Sequence, residues 1–291
     1  PFYICDAALE PFLATGVPVD LYAIDEALEP ILPRGAPGAG ECLLYVNYFG
    51  LKTAAAAALV GAHPGRVIVD DTQAFFARGY AGGWSFNSAR KFFGVPDGGY
   101  AYGPDMRPSE RPRLAEVRYD HLVNRLLGRQ DLAYEQYLQS EAHVTSEVWQ
   151  ISILSERLLA NVDYEAVSDQ RRRNFAALDD AFGRQNALAS RLAPAATDVP
   201  HCYPFLPNTL VAADSLLMAS DEPQPVRWNQ LWSRGLFVPR FWPEVVERPR
   251  SRPFERESTL AQCLLPLPID HRYTPDDLER VVDGVGEVMG W

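Results

Sequence analysis

The chain has 291 residues, 47% hydrophobic and 22% charged, an ordinary globular composition that suffices for a large core in one or two domains. Its formal charge of −11, from 38 acids against 27 bases, argues against a general nucleic-acid or anionic-membrane binder, since both need a broad basic face. Cys5, Cys42, Cys202 and Cys263 are scattered without a disulfide framework, and neither they nor the five histidines fall into a metal-ligand spacing. No leader peptide or membrane span is legible, so a cytoplasmic protein without a metal site is expected.

Taken in order, Ala8 to Leu13 reads as a helix, Val17 to Ala23 as a strand and Asp25 to Leu32 as a helix closed by Pro33. The glycine- and proline-rich stretch 33–40 is a loop, too short and unpatterned to bind a nucleotide. Leu43 to Val46 reads as a buried strand ending in Asn47-Tyr48-Phe49-Gly50. Lys52 then opens an alanine-rich helix, Thr53 to Leu59, and reads as a cation on that helix's surface. Val67-Ile68-Val69 is β-branched and wholly apolar, the pattern of a buried parallel strand. It ends in Asp70-Asp71, and the carboxyl ends of such strands are where α/β sheets gather ligand groups. This strand–helix–strand alternation implies a mostly parallel sheet with helices on both faces.

Beyond it lies Ser85-Phe86-Asn87-Ser88-Ala89-Arg90-Lys91, then Pro96-Asp97-Gly98-Gly99 and the aromatic run Tyr100-Ala101-Tyr102. Lys52 and Lys91 are the only lysines among 27 basic residues. Arginine stays protonated in proteins, whereas a lysine amine in a suitable pocket loses its proton and attacks a carbonyl. Lys91 has the chemical company such an attack needs. A strand-end acid precedes it, a hydroxyl stands three residues before it, and a glycine pair follows where backbone can approach closely.

Residues 107–113 read as a linker, and a long helical tract follows from about Leu114 to Leu159, carrying Tyr119, His121, Tyr134, Tyr137, His143 and Trp149. Arg171-Arg172-Arg173 reads as the solvated face of a further helix. In the last third, Tyr203-Pro204-Phe205 and Thr209-Leu210-Val211 look like entries to a sheet and Leu236-Phe237-Val238 like a strand, while Leu264 to Asp270 leads up to a helix start. Val226 to Arg234 looks like a helix stopped by Gly235, and Thr274-Pro275 like the start of another. The expected division is a large domain over 1–150, and a linking helix with a smaller C-terminal α+β domain over 151–291.

Asp70-x-x-Gln73, the Ser85 to Lys91 run and Pro96-Asp97-Gly98-Gly99 together resemble the DegT-type family of sugar aminotransferases, which are fold-type I pyridoxal-phosphate enzymes. The resemblance implies a three-layer, mostly parallel α/β large domain and a homodimer with shared active sites. It implies that Asp70 pairs with the ring nitrogen of pyridoxal 5′-phosphate, that Gln73 lies beside the ring and that Lys91 carries the internal aldimine. Ser85 or Ser88 would bond the phosphate. Four residues separate Phe86 from Lys91 where the family pattern has three, which leaves the serine ambiguous; Ser88 is the first choice. Tyr3 or Cys5 would stack on the ring, Asn47 and Tyr48 would face the pocket, and Arg240, Trp242 and Tyr273 would touch substrate. Relatives carry some tens of residues before the segment that here starts at Pro1, including a helix-start turn that binds the phosphate, so part of the large domain is expected to precede it. The implied activity is amino transfer from a small donor to a nucleotide-linked keto sugar or related polyol ketone. The alternatives are a sugar dehydratase on the same scaffold and an inactive dimeric homologue.

Overall fold

The protein is seen in a computed structural model that describes residues 1–107, 110–141, 147–208, 226–249 and 254–291. It opens with helix α1 (Asp6–Ala14), followed by a two-stranded antiparallel hairpin of β1 (Ala23–Ile24) and β2 (Pro30–Ile31). The helix expected over residues 25–32 is therefore a β-turn region. Asp25 Oδ1 accepts from the backbone N–H groups of Ala27 and Glu29, and buried Leu28 adopts φ 62°. Local side-chain bonding of this kind competes with helix, and apolar spacing does not register it.

The central sheet has the order β3 (Leu43–Val46), β4 (Val67–Asp71), β5 (Trp84–Asn87), β6 (Ala101–Tyr102). The first three strands are parallel, with Val46 opposite Asp70 and Asp71 opposite Asn87; β6 joins antiparallel at the edge. Helix α2 (Thr53–Ala62) makes the crossover from β3 to β4 and packs Ala56 and Val60 on Tyr45, Val67 and Val69. Its small side chains let it lie close. A Cβ on Gly83, at the entry to β5, would come 2.6 Å from Val60 Cγ1.

The expected long helical tract is broken into α3 (Asp120–Leu126), α4 (Gln130–Glu141) and α5 (Ile153–Leu159). Gly128, in the left-handed region, turns the chain between the first two; His143 lies outside the described residues. Helix α6 (Tyr164–Phe182) leads to an antiparallel pair, β7 (Cys202–Phe205) with β8 (Leu265–Pro268). Around the pair stand α7 (Val226–Ser233), α8 (Glu255–Cys263) and α9 (Pro275–Met289). Thr274 caps α9 in a reciprocal box with Asp277, as its sequence predicts. Residues 236–238 are not in a strand, and 209–211 lie outside the described residues.

The largest apolar cluster joins Phe2, Ile4, Tyr22 and Leu43 with Leu178, Phe205, Leu267 and Val285, so early and late chain segments share one core. No helix among the described residues is long and apolar enough to cross a membrane.

Candidate active site

Alternation along β4 sends its two terminal aspartates to opposite faces of the sheet. Asp70, 4% exposed, accepts the backbone N–H of Thr72 at 2.9 Å through Oδ1. The Thr72 hydroxyl in turn accepts from Lys91 Nζ at 3.0 Å. Lys91 is itself exposed, yet its amine is held one threonine away from the strand-end acid. It closes a short 3₁₀ turn, Ala89–Lys91. That turn is anchored from below by Ala89, Phe92 and Phe93, which pack with Phe75, Leu159 and Val167. The glycine pair serves this anchoring: Gly98 adopts φ 110°, and a Cβ on Gly99 would stand 2.4 Å from the Asn87 carbonyl oxygen. Asp97 secures the same loop by accepting from Ser152 and Ser155 at the start of α5.

The Cys5 thiol stands where Lys91 and Asp70 both act on it. Burial pushes it up, Lys91 draws it down and Asp70 raises it again. Tyr3 is fully buried, with its ring edge-on to Trp242 at 4.6 Å and stacked with Tyr48 at 5.8 Å. Tyr48 donates to the Tyr3 carbonyl at 2.6 Å. Gln73 is buried, and its Oε1 accepts the backbone N–H of Phe49 at 2.9 Å. Phe49 and Gly50 both lie in the left-handed region, at φ 60° and 72°. The Phe49 carbonyl receives the backbone N–H of His201.

On the other face, Asn47 Nδ2 and the Tyr80 hydroxyl each donate to Asp71 Oδ1 at 2.9 Å. Ser85 is buried on β5 opposite Val69, on the Asp71 face rather than with Lys91. Ser88 is half-buried at the head of the lysine turn and makes no capping hydrogen bond. Of the substrate candidates, only Trp242 packs directly on this group. Arg240 donates to the Ala261 carbonyl and lies over Trp228 at 5.7 Å, and Tyr273 packs on the main core.

Three neighbours were not legible as site residues. Thr72 is one of the two unspecified positions of Asp70-x-x-Gln73, which gave it no role. The His201 ring lies 5.2 Å from Phe92, interacts with the Lys91 backbone and is held neutral, its imidazole pushed well below the usual range by burial and then by Arg171. Arg171, 2% exposed, donates to the carbonyls of Pro200 and His201 and lies 4.7 Å over Phe92. It is not the solvated cation its sequence suggested. Lys52 is likewise 8% exposed, bonded to the Ala27 carbonyl and paired with Glu29.

The donor set suits the reactive end of pyridoxal phosphate. It offers a lysine amine for a carbonyl and a buried carboxylate whose Oδ2 takes no hydrogen bond among the described residues. Ser88, at the head of the turn, is the hydroxyl available for a phosphate.

No family model and no curated protein matches the chain. Among solved structures it is similar to a DegT DnrJ EryC1 StrS aminotransferase from Brucella abortus, at 14% identity and TM-score 0.64 over 100% of this chain and 79% of that one. It is similar to Helicobacter pylori PseC, an aminotransferase involved in the biosynthesis of pseudoaminic acid, at 14% identity and TM-score 0.60 over 97% and 76%. It also resembles the sugar aminotransferase CalS13 from Micromonospora echinospora, at 16% identity and TM-score 0.55 over 97% and 77%. The resemblance carried by residues 67–103 thus extends to the architecture: over nearly its whole length, the chain has the fold of the DegT DnrJ EryC1 StrS aminotransferases.

Proposed function

We propose that the protein is a pyridoxal-phosphate-dependent aminotransferase that passes an amino group to a nucleotide-linked keto sugar or a related polyol ketone. The observation that carries this reading is the linked set Lys91–Thr72–Asp70 at the carboxyl end of β4, within that fold. Bound pyridoxal phosphate would supply the carbonyl and the electron sink. Asp70 holds the ring-nitrogen proton, and the Lys91 amine moves a proton at the substrate carbon as general base and then acid. Thr72 orients that amine through its hydroxyl. Ser88 binds phosphate, while Tyr3 and Gln73 shape the surroundings of the ring; Asn47 bonds Asp71 on the opposite face. Trp242 is the leading substrate contact, ahead of Arg240 and Tyr273.

The chain acts in the cytoplasm as a homodimer. Leu126, Leu127, Leu138, Val148, Trp149 and Ile153, all exposed on one continuous part of the chain, supply the apolar surface for a second copy.

The test is borohydride trapping of the protein mixed with pyridoxal phosphate, followed by peptide mapping. The expected result is a reduced adduct on Lys91 and visible absorbance that Lys91→Ala abolishes. An adduct elsewhere, or unchanged absorbance in that variant, overturns the assignment. Formation of 2-oxoglutarate from glutamate in the presence of a keto sugar separates amino transfer from dehydration.

A further inference from the structure

Asp71 is unused by the reading above, although it shares a peptide bond with Asp70. It is 1% exposed. Its Oδ1 accepts twice, from Asn47 and Tyr80, while its Oδ2 is buried with no partner. Ser85 Oγ, on the neighbouring strand and the same face, is also buried with no partner and lies close enough to act on this carboxyl. A carboxylate whose buried oxygen accepts no hydrogen bond is costly, whereas a neutral acid can donate from that oxygen to the Ser85 hydroxyl.

Among the described residues, the side chains that face the group are neutral. Asn47 and Thr53 face the group from the β3–α2 connection, Tyr80 from the loop before β5, Ser85 and Asn87 from β5, and Tyr102 from β6. Asp198 lies beyond Tyr80, and Asp70 stands on the same strand. Of the nearby cations, Lys52 pairs with Glu29, and Arg78 acts on Tyr102 beside the group.

We propose that Asp71 is a positioning acid for Asp70: buried on the closed face of the sheet, its carboxyl decides by holding or releasing its proton whether a second negative charge stands behind the carboxylate that faces Lys91. Burial is the main cause of its proton affinity and Asp70 adds to it, while Asn47, Tyr80 and Ser85 oppose it. The ionised pair binds a proton on any ring nitrogen at Asp70 more firmly than Asp70 alone. This last consequence rests on the function proposed above; the proton on Asp71 does not.

The experiment is a carboxyl-carbon NMR titration of the cofactor-free protein, ¹³C-labelled at aspartate, with signals assigned by Asp71→Asn and Asp70→Asn. The Asp71 signal is expected to titrate at about 7 instead of the ordinary 3.8, and the Asp70 signal to show a step at the same pH. Tyr80→Phe removes a donor to the ionised form and moves both steps up by about one pH unit. An Asp71 signal already ionised throughout pH 5 to 9, or an Asp70 signal without the step, overturns the proposal. Failure of Lys91 to trap pyridoxal phosphate while both steps persist removes the aminotransferase reading and leaves the Asp70–Asp71 coupling established.

Discussion

Lys91 stands out in the sequence because lysine is rare in it, and Asp70 because it ends an apolar strand. The threonine that joins them does not, since it makes its two bonds through a backbone N–H and a hydroxyl whose partner is 19 residues away. Arg171 and Lys52 show the opposite failure. A cation reads as solvated in sequence, yet both are buried because carbonyls or a carboxylate meet them there, and such partners come from remote segments. Asp71 adds a measurable pH effect. Its proton affinity is raised from 3.8 to about 7 on folding, so it costs no stability below pH 4 and progressively more between 4 and 7. Above that the cost is constant. Thermal midpoints of the Asp71→Asn variant and the parent chain are therefore expected to diverge in favour of the variant from pH 4 to 7, then run parallel. Parallel profiles across the whole range contradict this assignment.

At the level of elements, apolar runs made β3 and β4 legible, and a threonine followed by proline made the start of α9 legible, because both signals are local. The 25–32 hairpin was not, since an aspartate side chain and one left-handed leucine decide it. The broken 114–159 tract shows the same limit: helical spacing persists on either side of Gly128, where a turn separates the first two helices, and residues 147–152 lie outside helix before the third. The Gly98–Gly99 pair was read as room for close approach, and the approaching group is the chain's own strand β5. Gly99→Ala would drive a methyl group into the Asn87 carbonyl, and the expected loss is about 2 kcal/mol or more, in the range of overpacked sites. Urea unfolding measures it; a loss under about 0.5 kcal/mol, the usual scatter of surface substitutions, contradicts the packing described.

For the whole molecule, a motif of about thirty residues was enough to point to the fold, while the packing between chain ends was invisible. Arg248 donates to the carbonyls of Phe2 and Ile4 and pairs with Asp6, contacts that span more than 240 residues and leave no periodic trace. The exposed apolar side chains of 126–153 are expected to be covered in solution. Light scattering should give twice the mass of the chain, and Leu126→Glu with Leu127→Glu should shift it towards the single-chain value without lowering the thermal midpoint of the monomer. A parent protein already at single-chain mass removes the homodimer.

The Gln73 amide also has a consequence for how this molecule tolerates change. By gripping Phe49, a bulky residue in a conformation that costs of order 1–2 kcal/mol, it acts as a latch between two neighbouring strand ends. The two loops are thereby mechanically yoked: reshaping either one for a new substrate would release the other, and with it the aromatic ring that Tyr48 lends to Tyr3.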